Sequence, residues 1–450
     1  MQIMVSTNTS LSFKIIKKSS MLVSPAESTP YEFKYLSDID DQGGLRAYIP
    51  IVYLYPKNPS MEGKDPVNII RDAIAKALVF YYPLAGRLRE FDGGKLVVEC
   101  TGQGVVFAEA DADVMLHQFG DPPYPPFPNM EDLLHMSNHN QIIDRPLLLI
   151  QVTRLKCGGF IFACGFSHPM CDGYGFNQFM SAVAELARGA SLPSILPVWE
   201  RHLLSARRPP RVSFTHHEYD VVSHPHPDLD LDQMVERSFF FSPADISALR
   251  HSLPPHLRSC SNYDIVAGCA WRCRTIALSP KPDEQIRFLG VSDIRKRMKP
   301  PLPVGYYGNV IAFPAAVTTA GELSKKPLEY AVELVRKAKN QATDEYLRSV
   351  ADLMVTRDRP NFTAANTYLV SDLTHLGLEL LDFGWGNAAY GGVAKAINWF
   401  PNEVSWYMSY KNKMGEVGTM VPICLSPKSM QLFVKHLQIM MTAARTTSAL

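Results

Sequence analysis

The stretch GFSHPMCDGYGFNQFM, residues 165–180, carries a histidine and an aspartate four positions apart. The apolar, β-rich run GFIFACGF leads into it, which is typical of a strand. Apolar residues then recur at helical spacing until Gly189, which suits a helix end: Phe176, Phe179, Met180, Val183 and Leu186. We therefore predict that His168 and Asp172 lie on a strand-to-helix loop, where rigid elements can hold a reactive side chain at a cleft.

The pair suits general-base chemistry, but its spacing leaves the role of the aspartate open. An imidazole with a pKa near 6.5 can take a proton from an alcohol and return one to a leaving group. Asp172 can accept a hydrogen bond from the other ring nitrogen or pair with an arginine. Gly173 is expected to allow a backbone geometry that a Cβ would hinder. Because the same spacing occurs in loops that only satisfy backbone groups, the rest of the chain has to decide.

Two other kinds of site are disfavoured. A thiol nucleophile at Cys171 would need His168 as its activator, and adjacent loop positions tend to point apart. Candidate zinc ligands lie on one polar segment without cysteines at finger spacing, so we expect a solvated loop and no metal there. Those candidates are His216, His217, Glu218, His224, His226 and Asp228.

Two neighbouring segments have clear secondary structure. In KDPVNIIRDAIAKALVFYYPLAGRLRE, Asp65 is a plausible N-cap, Pro66 suits the first helical position, and apolar residues follow at helical spacing. This helix should end before Pro83. The runs PLLLIQVTRL and GFIFACGF flank a short glycine-containing turn and predict an antiparallel hairpin.

The length of the chain and a change in its composition predict two domains. A chain of 450 residues with 46% hydrophobic content exceeds what one compact core usually needs. Residues 191–228 are rich in proline, arginine and histidine without sustained periodicity, which indicates a long surface crossover. We place an N-terminal domain at 1–190, the crossover at 191–228 and a C-terminal domain at 229–450.

Charge and cysteine content narrow the function class. Lys plus Arg number 45 and Asp plus Glu 44, so the chain lacks the basic excess of a nucleic-acid binder. The eight cysteines form no CxxC motif, which fits a reducing compartment. No secretory leader and no apolar run of about 18 residues is present, so we expect a cytoplasmic protein that does not bind membranes.

Several motifs together resemble the plant BAHD acyltransferases. HPMCDG at 168–173 and DFGWG at 382–386 match the paired HxxxDG and DFGWG motifs of that family. Further matches occur in the family's order along nearly the whole chain: LSDID at 36–40, YYPLAGRLRE at 81–90, CAWRCRTIAL at 269–278 and PPLPVGYYGN at 300–309. The chain is identified by this resemblance as a member of the family.

The resemblance implies a fold and a reaction. The fold is α/β, with two chloramphenicol-acetyltransferase-like domains of mixed sheets and flanking helices, some exchange of segments between halves, and a channel between them. Acyl-CoA is a co-substrate, the acceptor is a small-molecule alcohol, no cofactor is bound permanently, and a monomer is expected. His168 is the general base, while Asp172 is structural and turned toward an arginine.

The resemblance also assigns supporting residues to the DFGWG motif. Gly384 and Gly386 suit a tight turn. Asp382 is expected to pair with an arginine of the second domain, for which Arg295 is the matching candidate. Trp385 has an indole donor that could reach an oxyanion, but packing is the expected role of this side chain.

Coenzyme contacts are expected from three places. Tyr307 and Asn309, in the YYGN stretch, should shape the channel near the pantetheine arm. Arg297 offers charge for the coenzyme phosphates. Asn262 stands where family members often have threonine, so its coenzyme contact departs from the family pattern.

The phrases SPAESTPYEFKYLSDIDDQ and LLLIQVTRLKCGGFIFA are similar to the branch containing benzyl alcohol O-benzoyltransferases and alcohol acyltransferases. This favours a benzoyl donor and a specialised-metabolite alcohol. Alternatives are an acetyl or other short acyl donor with a volatile alcohol, a bulky alkaloid (tropane-type) or taxane alcohol, and an amine acceptor. A non-catalytic descendant is disfavoured because His168, Asp172 and Gly173 are intact, and a condensation-type domain because Ser167 precedes the histidine.

Overall fold

The computed structural model describes residues 3–4, 11–18, 20–134, 141–221, 234–363, 365–394 and 404–448. The strands of the N-terminal half are β1 (Ile3–Met4), β2 (Ile15–Lys17), β3 (Met21–Val23), β4 (Phe33–Tyr35), β5 (Tyr48–Tyr55), β6 (Arg87–Glu90), β7 (Leu96–Glu99), β8 (Val105–Ala112), β9 (Leu148–Leu155) and β10 (Phe160–Ser167). Its helices are α1 (Pro66–Phe80), α2 (Met130–Leu133) and α3 (Gly173–Ala187).

The C-terminal half follows the same mixed pattern. Its strands are β11 (Val235–Phe241), β12 (Gln285–Gly290), β13 (Ser292–Asp293), β14 (Ile311–Ala312), β15 (Ala315–Thr319), β16 (Thr367–Asp372), β17 (Tyr390–Val393), β18 (Val404–Lys411) and β19 (Val417–Leu425). Its helices are α4 (Pro243–His251), α5 (Asn262–Leu278), α6 (Ala320–Lys325), α7 (Leu328–Gln341), α8 (Asp344–Thr356) and α9 (Pro427–Ser448).

Two large mixed sheets form the centres of the two halves. The first has the order β17-β5-β10-β9-β8-β2, with β3 also on β8, and the second has the order β1-β11-β19-β18-β16-β12-β15. Helices α1 and α3 pack together on the first sheet, and α5 packs on α7 and α9 over the second. The expected two-domain α/β architecture with mixed sheets is confirmed.

Strands are exchanged between the halves. β1, at the start of the chain, pairs with β11 of the second sheet, and β17 pairs with β5 of the first. The return of β17 places the segment that carries DFGWG against the N-terminal half. The two sheets are therefore tied together by hydrogen-bonded strands as well as by the connecting chain.

The elements that carry the site form where the sequence predicts them. Asp65 caps α1 by accepting a hydrogen bond from the Val67 amide, and the helix ends at Phe80. β9 and β10 form the predicted antiparallel hairpin. α3 begins directly after Asp172 and is followed by Gly189 with φ of 96°.

The crossover is less exposed than predicted. Its described part contains short turns at Arg201–Leu204 and His217–Tyr219, and Arg201, His216, Glu218 and Tyr219 are buried. The prediction of a solvated histidine loop is therefore wrong for His216, which lies 2.9 Å from Glu218 Oε1 and 2.8 Å from Ser349 Oγ. These polar partners, Glu218 of the crossover and Ser349 of α8, make burial of the imidazole possible. His224, His226 and Asp228 lie outside the described residues.

Candidate active site

The predicted reactive loop is a single tight turn between β10 and α3. The strand ends at Ser167, residues 168–170 form one 3-10 turn, and α3 starts at Gly173. The His168 amide donates to the Ala47 carbonyl at 2.8 Å, and the Cys171 amide donates to the His168 carbonyl. The histidine is thus held at the end of a central strand of the first sheet.

A cavity of about 640 Å³ opens above this turn. Its wall includes His168, Asp172 and Gly173 from the first half and side chains from the second half, among them Leu369 and Trp406. Both halves therefore contribute to one cleft, as the resemblance implies for the channel.

The surroundings of His168 favour a neutral imidazole. Its Nδ1 atom is buried without a hydrogen-bond partner, and the residue lines the cavity. Burial lowers the pKa of His168 below 6.5, and the negative charge of Asp172 opposes that shift only in part. A neutral ring with a free nitrogen at a cleft can accept a proton from a bound hydroxyl.

Asp172 is turned away from the imidazole and toward an arginine. Its carboxylate lies 2.7 Å from Arg295 Nη1 and 2.8 Å from Nη2. It also accepts hydrogen bonds from the Gly175 amide at 3.0 Å and the Val310 amide at 2.9 Å. Of the two roles left open by the sequence, the ion pair with an arginine is the one the structure contains.

The two glycines at the start of α3 differ in how much room they leave for a side chain. The explanation given for Gly173 is wrong, because this residue has no positive φ, and an added Cβ would meet only the flexible Leu376 Cδ1 at 3.0 Å. The position that tolerates no side chain is Gly175, which the sequence did not single out. A Cβ there would lie 2.0 Å from the Tyr307 carbonyl oxygen, which is backbone and cannot move aside alone.

The prediction that Asp382 pairs with Arg295 is wrong. Its carboxylate accepts hydrogen bonds from the Gly384 and Gly386 amides, both at 2.7 Å, and its carbonyl accepts one from Arg188. Arg295 is committed to Asp172 instead. Gly384 and Gly386 have φ of 112° and 85°, so the DFGWG motif is a tight turn closed by its own aspartate.

Trp385 is a packing residue. Its side chain is 5% exposed and lies edge-on to Phe160 with ring centroids 5.3 Å apart. Phe160 begins the strand that His168 follows, so the two ends are separated by roughly 23 Å of extended chain. The indole therefore does not reach an oxyanion formed beside His168.

Tyr307 and Asn309 lie beneath the cavity and are not part of its wall. Tyr307 packs on Tyr81 and Trp199, and Asn309 is fully buried. The Asn309 amide group donates to the His168 carbonyl at 2.9 Å. The expected contact of these two residues with the coenzyme does not fit their burial.

Polar and cationic groups line another part of the cavity. Asn262 and Arg297, both predicted coenzyme contacts, lie in its wall with Ser261 and Lys339. Lys339 Nζ lies 2.9 Å from Ser261 Oγ at the start of α5. A helix N-terminus with nearby cations favours anionic groups.

Cys171 does not resemble an activated thiol. The side chain is buried, and burial raises the pKa of Cys171 well above its ordinary value. Across the described ranges, no group of three or more metal-ligating side chains is assembled. In the same part of the chain, no helix is both long and apolar enough to cross a bilayer.

Sequence reasoning missed the residues that support the turn from below, chiefly Asp40 and Arg201. Asp40 belongs to the LSDID motif and Arg201 to the crossover, and they meet at 2.7 Å. The available signal was that Asp40 belongs to the LSDID motif, and a buried aspartate needs a partner. Nothing in the spacing of the two residues connects them.

Comparison with known proteins agrees with this architecture. The chain is 21% identical to vinorine synthase, with a TM-score of 0.71 over 93% of this chain and 96% of that structure. It also aligns with F. graminearum TRI101 complexed with coenzyme A and T-2 mycotoxin, at 16% identity and a TM-score of 0.69 over 89% of this chain and 96% of that one. These likenesses establish the fold.

Curated relatives are much more similar in sequence. Benzyl alcohol O-benzoyltransferase of Nicotiana tabacum is 55% identical over 96% of this chain and 94% of its own length. 13-Hydroxylupanine O-tigloyltransferase of Lupinus albus is 50% identical over 95% of each chain, and (Z)-3-hexen-1-ol acetyltransferase of Arabidopsis thaliana is 49% identical over 96% of each. The Transferase family model matches residues 13–440. The chain therefore belongs to the Transferase (BAHD) family and is an acyltransferase, EC 2.3.1.

Proposed function

We propose that this acyltransferase moves a benzoyl group from coenzyme A to the hydroxyl group of a specialised-metabolite alcohol. The observation that carries the proposed chemistry is His168, a histidine with a lowered pKa that lines a cavity walled by both halves. The 55% identity to the tobacco benzyl alcohol O-benzoyltransferase supports benzoyl as the donor group.

In this reaction His168 acts as the general base. Its Nε2 removes the alcohol proton while the alcohol oxygen attacks the thioester carbonyl, forming the new C–O bond. The tetrahedral intermediate then collapses, the C–S bond breaks, and the proton passes from His168 to the departing thiolate. The products are an ester and free coenzyme A, and no acyl group is attached to the protein.

Asp172 supports this step without touching the reactants. With both carboxylate oxygens engaged by Arg295 and two backbone amides, it fixes the first turn of α3 behind the histidine. Its charge also limits how far burial lowers the pKa of His168. Asp172 is therefore a positioning residue in the proposed mechanism.

The cationic part of the cavity suits the phosphates of acyl-CoA. Arg297, Asn262 and Lys339 lie there beside the start of α5. Lys339 is also paired with Asp264, whose Oδ1 lies 2.5 Å from its Nζ, so Arg297 is the cation proposed for the phosphates. The contact at Asn262 is compatible with this placement despite its departure from the family pattern, because an amide group can also donate to phosphate.

Apolar side chains surround the histidine. Ala47, Ile49, Phe166, Phe176 and Trp406 line the cavity, and Phe166 stacks on Phe176 at 4.3 Å between ring centroids. Such a wall suits a benzoyl group and a low-polarity alcohol, and it excludes the water that would hydrolyse the thioester.

Other donors and acceptors remain candidates on specific grounds. An acetyl donor with a volatile alcohol is supported by the Arabidopsis relative, and an alkaloid alcohol by the lupin relative. The cavity volume of about 640 Å³ is in the range that holds drug-sized ligands, which favours a bulky alcohol over benzyl alcohol alone. A monomeric state, a cytoplasmic location and the choice of alcohol over amine stay predictions.

The test is release of free thiol from benzoyl-CoA, acetyl-CoA and tigloyl-CoA, each offered with benzyl alcohol, (Z)-3-hexen-1-ol, 13-hydroxylupanine and benzylamine. We expect release that depends on both the alcohol and His168, with benzoyl-CoA preferred. His168→Ala should lose turnover, while His217→Ala, an exposed histidine on the crossover, should keep it. Undiminished turnover by folded His168→Ala would contradict the base assignment, and a preference for another donor would contradict the benzoyl proposal.

A further inference from the structure

The catalytic turn rests on donors that come from two distant parts of the chain. Arg201 Nη2 donates to the Met170 carbonyl at 2.8 Å, and Asn309 Nδ2 donates to the His168 carbonyl at 2.9 Å. Both bonds go to the backbone of the three-residue turn that carries the histidine side chain. The position of that backbone sets where the imidazole lies.

Asp40 organises both donors. Its Oδ1 atom lies 2.7 Å from Arg201 Nη1 and 2.9 Å from both the backbone amide and Nδ2 of Asn309. Its Oδ2 atom accepts from the Ser37 amide and hydroxyl. One carboxylate therefore aligns an arginine of the crossover and an asparagine of the second half under the turn.

The arginine has little freedom to move. Asp40 is 0% and Arg201 1% exposed, and the guanidinium carbon lies 4.4 Å from the ring centre of Trp199 and 4.8 Å from that of Tyr307. A Cβ on Gly308 would lie 2.5 Å from Arg201 Nη1, so the glycine leaves the space that the guanidinium fills. Both terminal nitrogens of the buried guanidinium are hydrogen-bonded, one to Asp40 and one to the Met170 carbonyl, which makes a rigid support.

We propose that Asp40, Arg201 and Asn309 are positioning residues for catalysis, which fix the main chain of residues 168–170 and so place the His168 ring in the cavity. This inference rests on the proposed role of His168 as general base. The Asp172–Arg295 pair holds the turn at the start of α3. The two ion pairs therefore flank the C-terminal end of the turn, Asn309 holds its N-terminal end at the His168 carbonyl, and residues 308–310 contact both pairs.

A purely structural ion pair on the same crossover provides the matched comparison. Arg207 Nε lies 2.7 Å from Asp352 Oδ2, and Asp352 is fully buried on α8. The Arg207 side chain also bonds to Glu345 and to the Arg211 carbonyl, and none of these partners belongs to the catalytic turn. Loss of Arg207 should lower stability without moving His168.

The experiment uses three variants of the full chain: Asn309→Ala, the charge-balanced double variant Asp40→Asn with Arg201→Met, and the control Arg207→Met. Steady-state rates with benzoyl-CoA and the best alcohol give kcat and KM, and circular dichroism checks folding. Because a 1 Å displacement of a reacting group can cost about a hundredfold, we expect kcat to fall by about ten- to a hundredfold in the first two variants. KM for benzoyl-CoA should stay within about twofold, since uniform binding is untouched.

The pH profile separates positioning from general loss of stability. Two ion pairs lie next to the turn, Asp172 with Arg295 and Asp40 with Arg201. The Asn309 substitution removes none of these charges. Asn309→Ala has two opposite effects on the pKa of His168: it removes a side-chain hydrogen bond that raises this pKa, and it admits water that relieves the burial that lowers it. Because burial is the largest cause of the lowered pKa, we expect the acid limb of kcat/KM to move upward toward 6.5. The limb of Arg207→Met should coincide with that of the wild type.

A folded Asn309→Ala variant with wild-type kcat and an unmoved acid limb would overturn the proposal, even if the double variant fails to fold. Equal losses of kcat in Arg207→Met would overturn it as well, because they would mark a general effect of the crossover. Failure of the base assignment is visible separately, as activity retained by His168→Ala. With His168→Ala inactive, the Asn309 result bears on positioning alone.

Discussion

Replacing Asp172 by asparagine and Arg295 by methionine, singly and together, measures the ion pair beside His168, the proposed general base. The two side chains are 3% and 12% exposed and meet at 2.7 Å. Methionine keeps the apolar stem of the arginine, and asparagine keeps the shape of the aspartate. The changes therefore remove charge with little loss of volume.

The expected magnitude follows from what each variant leaves behind. Removing one partner of a buried ion pair typically costs about 3–5 kcal/mol, because the other charge stays buried and unpaired. In Asp172→Asn the remaining oxygen can still accept from the Gly175 or Val310 amide, so we expect about 3 kcal/mol, at the lower end of that range. The double variant has no orphaned charge, and its coupling energy should be about 2 kcal/mol.

Urea unfolding of the four proteins gives the free energies for this cycle. The control cycle combines Arg295→Met with Asp382→Asn, the aspartate that the sequence pattern had assigned to this arginine. Because the carboxylate of Asp382 is bonded to the Gly384 and Gly386 amides, the two changes should add within about 0.5 kcal/mol. Additive losses for Asp172 with Arg295, or strong coupling for Asp382 with Arg295, would refute this account of both motifs.

Three further outcomes can be checked on single variants. In the wild type, the acid limb of kcat/KM should lie below pH 6.5, because burial lowers the pKa of His168 and the neutral base persists until the pH falls through that value. The unfolded chain binds this proton at a higher pH than the folded protein does, so His168 also reduces the stability of the fold as the pH falls below 6.5. A limb at or above 6.5 in the rate profile would contradict the burial of the ring. Gly175→Ala should fail to fold or lose at least about 2 kcal/mol of unfolding free energy in a urea titration, because its Cβ would lie 2.0 Å from the Tyr307 carbonyl oxygen. Gly173→Ala is the control and should fold normally. Equal stability of the two variants would be inconsistent with the geometry. Trp385→Phe should keep kcat within about threefold while lowering the melting temperature, and a loss of about a hundredfold with stability unchanged would restore an oxyanion role for the indole.

Local signals in the sequence were sufficient for the elements that carry the site. The N-cap at Asp65 and the apolar residues at helical spacing after it predict α1. Helical spacing that ends before Gly189 predicts α3, and two apolar runs joined by a glycine turn predict the β9–β10 hairpin. These signals are readable because each acts within a few residues. The same locality explains Gly384 and Gly386, whose positive φ is set by the turn itself. The prediction that His168 is the base came from the resemblance of the paired motifs, because the spacing of His168 and Asp172 alone left their roles open.

Partners distant in sequence were not predictable from spacing. The sequence could state that Asp172 needs a cation, but Arg295, Arg188, Arg201 and Arg297 are equivalent until the fold places them. Which arginine faces which aspartate depends on the packing of residues 308–310 between the halves, a tertiary fact with no local periodicity. The exchange of β1 and β17 between sheets and the burial of His216 have the same origin.

The arrangement explains why the HxxxD spacing is a weak signal by itself. The histidine and the aspartate do not bond to each other; each is held by groups from elsewhere, His168 through its backbone and Asp172 through Arg295. The informative pattern is therefore the set of distant motifs, since LSDID supplies Asp40, the YYGN stretch supplies Asn309, and the crossover supplies Arg201. The crossover residue that lies fully buried under the reactive turn has to be treated as part of the site, and substitutions of Arg201 should affect the rate as readily as substitutions in the cavity wall.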